Sequence, residues 1–143
     1  MGKSLNHAEN NFLEENETNI VMDYFYRTSD RSFDRIMDIF DFSRFKRVVD
    51  IRGSYGLLSA KLKRRFPTVE FISFDNPTLE NYAIYRLTAL NMIDDVVIRS
   101  GSVLSGNIPE CDCVIAPFLF THFNNENCLK ALRNIFDCMS SSG

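Results

Sequence analysis

From position 20 onward the apolar residues of this chain fall into a regular rhythm. Ile20, Val21, Tyr24 and Phe25 recur at helical spacing, as do Phe33, Ile36, Met37 and Phe40, with Ser32 near the start of the second run. Residues 41–47 form a polar connection. Arg47-Val48-Val49-Asp50-Ile51 is then a short apolar run closing on an acid, which predicts a buried strand. Gly53 to Gly56 reads as a tight turn. Residues 57–66 read as a helix with Leu58 and Leu62 inward, and Pro67 ends it. Residues 69–74 read as a second strand, closed by Asp75-Asn76-Pro77. Residues 79–91 read as a helix with Leu79, Tyr82, Ala83, Leu87 and Leu90 on one side. A third strand is expected at 96–99 and a fourth within 112–119. Asn124 or Asn125 caps a last helix, Glu126 complements its dipole, and Leu129, Leu132, Ile135, Phe136 and Met139 form its buried stripe.

Strands alternating with helices predict an α/β fold with a mainly parallel sheet. Such sheets bind ligands at the carboxyl ends of their strands. Asp50 and Asp75 stand at or just after the ends of the first two strands, so both are candidates for that edge. Residues 2–19 are rich in Asn and Glu and are expected to be a mobile leader. Residues 20–143 are left as one domain.

Composition narrows the function class. With 143 residues, 45% apolar and 24% charged, the chain has the make-up of a soluble domain with one core. A net charge of -3 gives no reason to expect nucleic acid or an anionic membrane. No apolar run approaches the roughly eighteen residues of a membrane span. No signal peptide is evident, so the expected location is cytoplasmic. Asn6 breaks a myristoylation pattern after Met1-Gly2, and Asn16-Glu17-Thr18 is a formal sequon without a secretory context. Cys111 and Cys113 flank Asp112 in what reads as a strand, which would place both on one face. The chain has four cysteines but only His7 and His122 as histidines, so no metal centre is expected and the thiols read as free and buried.

The chemistry concentrates after the first strand. A glycine turn there lets a ligand approach the backbone, and an acid after the second strand can accept hydrogen bonds from both ribose hydroxyls. Gly53, Gly56 and Asp75 supply these elements. On these residues alone a nucleoside-containing cofactor competes with a turn that needs its glycines sterically, and Asp75 could equally be a turn residue. Lys61, Lys63, Arg64 and Arg65 read as a solvated helix face rather than a phosphate patch.

Three stretches in order carry a family resemblance. "FDFSRFKRVVDIRGSYG" stands where small-molecule O-methyltransferases have a similar approach and then VVDVGGGxG. "RRFPTVEFISFDNP" stands where they read xxFPxxxxxxFDLP. "FNNENCLKALRNIF", leading to "SSSG", stands where they have W-x-D-E-x-C-x-x-I-L-K-N and a glycine turn. From about Phe25 to Gly143 the chain therefore resembles the catalytic domain of the caffeic acid, flavonoid and acetylserotonin methyltransferases. The resemblance implies a Rossmann-like class I methyltransferase core, incomplete at four of the family's seven strands, with strand order three-two-one-four. It implies S-adenosylmethionine as cofactor, held around Asp50, Gly53, Gly56, Asp75 and Ser102, and a small-molecule hydroxyl as methyl acceptor.

The departures from the family pattern fall on the residues that matter. Arg52, Gly53 and Ser54 replace three consecutive glycines, the first of which lies against the cofactor in the family. Ser102 stands where an acid faces the adenine end, and Pro117 where a lysine lies in the fourth strand, which is expected to be distorted or to end there. Thr121, His122 and Phe123 stand in place of His-Asp-Trp. Threonine cannot act as a general base at neutral pH, so His122, one residue late, is the candidate, against the reading of it as a surface or capping residue. The alternative is a non-catalytic methyltransferase-like domain that binds a protein partner or a related nucleoside. Residues 2–19, read as a leader, are expected to stand where the family has its N-terminal winged-helix region. An uncovered fourth strand would leave a bare edge, so self-association or only marginal stability is expected.

Overall fold

Val48 and Val49 are neighbours on a strand, so their side chains leave on opposite faces. Both are fully buried, which requires a layer of structure on each side of the sheet. The computed structural model, which describes residues 30–53 and 55–140 together with Ile20, Tyr24 and Arg27, and the backbone alone of His122 and Ser140, shows those layers. Its elements are α1 (30–39), β1 (Arg47–Ile51), α2 (Leu57–Arg65), β2 (Glu70–Asp75), α3 (Glu80–Ala89), β3 (Val97–Ser100), β4 (Cys113–Ile115) and α4 (Asn125–Ser140). Short 3-10 turns lie at Phe42–Arg44, Pro77–Leu79 and Leu119–His122. The expected leader, Val21 and Phe25 lie outside the described residues, while Ile20 and Tyr24 are helical and exposed. The second helix is already under way at Asp30, ahead of the start expected near Ser32.

The sheet is parallel throughout, in the order β3-β2-β1-β4. Val48, Phe71 and Val69 pack with Phe33, Phe42, Leu58 and Leu62 beneath α1 and α2. Val49, Ile51, Ile72 and Phe74 pack on the other face with Leu119, Ala131 and Ile135. A smaller cluster of Ala60, Leu87, Met92 and Val96 seats α3.

Three of the four basic residues on α2 are engaged in contacts within the fold. Lys61 pairs with Asp30 and Asp34, Lys63 donates to the carbonyls of Pro67 and Val69, and Arg64 donates to that of Leu90. Asp112 fixes the register of β4 against β1. Its carboxylate accepts from the amides of Lys46 at 2.7 Å and Arg47 at 2.8 Å, and its own amide donates to the Arg47 carbonyl.

The fourth strand, Cys113–Ile115, lies within the expected 112–119 and ends before Pro117, which has no amide to extend the ladder. Two expectations are corrected. Cys111 and Cys113 do not share a face: Cys111 precedes the strand and packs on the α4 side, whereas Cys113 packs toward α1 and α2. Strand alternation does not apply to a residue outside the strand. On α4 the buried residues are Ala131 and Ile135, while Leu129, Leu132 and Phe136 are 56%, 50% and 68% exposed. The helix rests on the stripe through Ala131, Ile135 and Cys138. Among the described residues nothing covers the adjoining stripe.

Candidate functional site

The turn after β1 is held in an unusual shape. Arg52, Tyr55 and Gly56 all have positive φ, at 63°, 60° and 79°. Side-chain-bearing residues reach that region at a cost of about 1–2 kcal/mol each, so packing must hold them there. Tyr55 is buried and sets its ring edge-on against Tyr82 of α3, 4.3 Å between centroids. The Arg52 amide donates to the Phe74 carbonyl at 3.1 Å. Gly53 has room for no side chain, since a Cβ would lie 1.9 Å from Oδ2 of Asp50. At Gly56 a Cβ would press on Leu87, and the residue serves as the N-cap of α2.

Asp50 is the fourth residue of β1 and fully buried beneath this turn. Ser59 Oγ donates to its Oδ2 at 2.8 Å, and Oδ1 has no partner among the described residues. Burial pushes this carboxyl up to about 7, with the charge of Asp75 adding to the shift.

Asp75 ends β2. Its Oδ1 accepts from the Asn76 amide at 2.8 Å. Its Oδ2 is buried and has no partner among the described residues. Burial raises this carboxyl above the usual range, opposed by the Asn76 hydrogen bond and by the positive charge of Arg52.

A cavity of about 420 Å³ opens at the carboxyl ends of β1, β2 and β3. Its wall includes Arg52, Asp75, Ser102, Val103, Leu104 and Phe123. This volume lies within the range of about 300–1,000 Å³ common for small-molecule sites. Of the five residues expected around a cofactor, Asp75 and Ser102 line it. Asp50, Gly53 and Gly56 lie in or under the adjoining turn. Ser102 Oγ accepts from the Leu104 amide at 3.2 Å, and Asn107 accepts from the Ser102 amide, so the loop after β3 is tied by its own polar groups.

Leu79, Val103, Leu104 and Phe123 also line the cavity, and the sequence reading did not single them out for a site. They come from a 3-10 turn and from loops, where no periodicity marks a residue as facing a ligand. The order of the strands was the one signal that could have found them, because it fixes which loops converge.

The stretch expected to hold a base is a 3-10 turn, Leu119–His122. Thr121 Oγ1 donates to the Phe118 carbonyl at 2.7 Å, so its hydroxyl closes the turn. The side chain of His122 lies outside the described residues. Among the described residues no three His, Cys, Asp or Glu side chains cluster as a metal site. Cys111 and Cys138 bring their sulfurs to 3.8 Å, and burial pushes the Cys111 thiol up to about 12.

A family model described as an O-methyltransferase domain matches residues 2–143. "Probable inactive O-methyltransferase 11" of Dictyostelium discoideum is 32% identical over 104 residues, covering 71% of this chain and 29% of that protein. The solved structure of PigF with SAH superimposes with a TM-score of 0.81 at 18% identity, over 89% of this chain and 38% of that one. Human N-acetylserotonin methyltransferase in complex with SAM gives a TM-score of 0.77 at 19% identity, over 87% and 35%. The chain thus spans about a third of the length of the proteins it matches.

Proposed function

The chain belongs to the O-methyltransferase domain family, and from that premise we propose that its cavity is the nucleoside-binding part of an S-adenosylmethionine site. The observation that carries this reading is Asp75, which lines the cavity and whose buried Oδ2 has no partner among the described residues. A buried acceptor left unsatisfied costs about 1–3 kcal/mol, which a ribose hydroxyl would relieve by donating to it. The residues present fit the adenosine end of the cofactor: an acid for the ribose, and apolar side chains of Leu79, Val103 and Leu104 for the base. When bound, S-adenosylmethionine supplies an activated methyl group, and the family's acceptor is a small-molecule hydroxyl.

Within these residues the chain binds rather than catalyses. Thr121 cannot take a proton at neutral pH, and its hydroxyl is engaged with its own turn. That leaves His122 as the candidate base. A positioned base contributes about 10²–10⁴ in rate; with His122 one residue off the family's base position that contribution is expected to be absent, and methyl transfer to phenolic or hydroxyindole acceptors to be undetectable. We further propose that the free edge of β4 pairs with a second copy of the chain, that nucleic acid is not a partner, and that the location is cytoplasmic.

The test is equilibrium binding of adenosine and of S-adenosylmethionine to the parent chain and to Asp75→Ala. Loss of roughly tenfold or more in affinity for both ligands is expected, the worth of a charged hydrogen bond. Binding unchanged in Asp75→Ala would overturn the assignment.

A further inference from the structure

The turn after β1 carries a charge that its conformation does not call for. At φ 63° Arg52 occupies a region in which glycine is unstrained. Its contact with Phe74 uses the backbone alone. Its guanidinium makes no hydrogen bond or ion pair with any other described residue, yet it is half-buried, lines the cavity and acts electrostatically on Asp75. A cation placed in a cavity wall with its own donors unspent is poised for an anion.

The strand order says which part of a ligand it would meet. Gly101 and Ser102 follow β3, Asp75 ends β2 and Arg52 follows β1, so the three lie in sequence across the mouth of the sheet. A ribose held by Asp75 sends its base toward Val103 and Leu104 on the β3 side. Its 5′ substituent then runs toward β1 and Arg52, the place where open α/β sheets receive phosphate. Guanidinium donors match phosphate oxygens two at a time. A sulfonium at the same place would meet a like charge in a setting less screened than water.

We propose that this cavity ranks adenosine ligands by the charge at their 5′ end, taking a nucleoside 5′-phosphate in preference to the sulfonium of S-adenosylmethionine. The proposal rests on the nucleoside reading of the site and deepens it: the adenosine end is kept, and the preference at the other end is changed by Arg52.

The experiment is titration calorimetry of the 143-residue chain with adenosine 5′-monophosphate, adenosine and S-adenosylmethionine, repeated on Arg52→Gly and Asp75→Ala. Arg52→Gly installs the residue that the backbone favours, so it is expected to raise the melting temperature rather than unfold the chain. In the parent, affinity should fall in the order monophosphate, adenosine, S-adenosylmethionine, with about tenfold or more between first and last. Arg52→Gly should abolish or reverse that order, and Asp75→Ala should weaken all three ligands. Equal or tighter binding of S-adenosylmethionine by the parent, or a ratio indifferent to Arg52→Gly, overturns the charge ranking and leaves the nucleoside site standing. Binding that ignores Asp75→Ala, or no binding of any adenosine compound to parent or Arg52→Gly, overturns both.

Discussion

At Gly53 a hydrogen atom stands where any larger substituent would collide with the Asp50 carboxylate. Gly53→Ala is therefore expected to cost about 3 kcal/mol or more, the upper range for overpacking, read as a lower urea midpoint. Adding Asp50→Ala should recover part of that loss, because the two positions share one contact. Asp50 itself makes stability depend on pH in the direction opposite to most carboxylates. Its folded value of about 7 lies above the ordinary 3.8, so the folded chain holds this proton more tightly than the unfolded one. The contribution is full below the unfolded value and is lost as pH rises toward and through about 7, with a ceiling of about 4 kcal/mol. Urea midpoints should fall between pH 5 and pH 8 in the parent, and Asp50→Asn should flatten that slope; an unchanged slope would discard the assignment. The sequence marked Asp50 and Asp75 alike as acids near strand ends. What separates them is that one is folded under a turn and the other stands in a cavity wall, a distinction set by the 52–56 turn.

Elements with one dominant apolar face were legible. β1, β2 and α2 lie within a residue or so of where their patterns place them, and the parallel sheet follows from their alternation. The errors come from elements with two faces to choose between. α4 carries one apolar stripe through Ala131, Ile135 and Cys138 and another through Leu129, Leu132 and Phe136. Helical periodicity is satisfied by both, and the larger residues make the exposed stripe look like the core. α3 begins one residue late because Asn76 caps a 3-10 turn first, its side chain accepting from the Thr78 amide at 3.0 Å. Asn124 supplies the corresponding cap for α4, accepting from the Asn127 amide at 2.9 Å, which settles the choice between Asn124 and Asn125. Cavity-lining residues on loops carry no such rhythm, and only their convergence in three dimensions identifies them.

For the whole molecule, three surfaces stand uncovered among the described residues. Among the described residues β4 pairs with β1 on one side only. An apolar groove of about 400 Å³ lies between α1 and β4, lined by Phe33, Ile36, Met37, Ile115, Ala116 and Pro117. The Leu129, Leu132 and Phe136 stripe adds a second apolar face. Sedimentation velocity on the 143-residue chain should show concentration-dependent association, reduced by Phe136→Lys. A strict monomer at high concentration would count against pairing through these surfaces. The register clamp at Asp112 has a further consequence, for the time before the chain is complete. β1, the most deeply buried strand, meets β2 after 23 positions but waits 65 or 66 for the carboxylate that aligns β4. During synthesis a nascent chain can therefore pair β1, β2 and β3 while one flank of β1, rich in valine, is still bare. That interval is the window in which a growing polypeptide of this fold is most exposed to mispairing with its neighbours on a polysome.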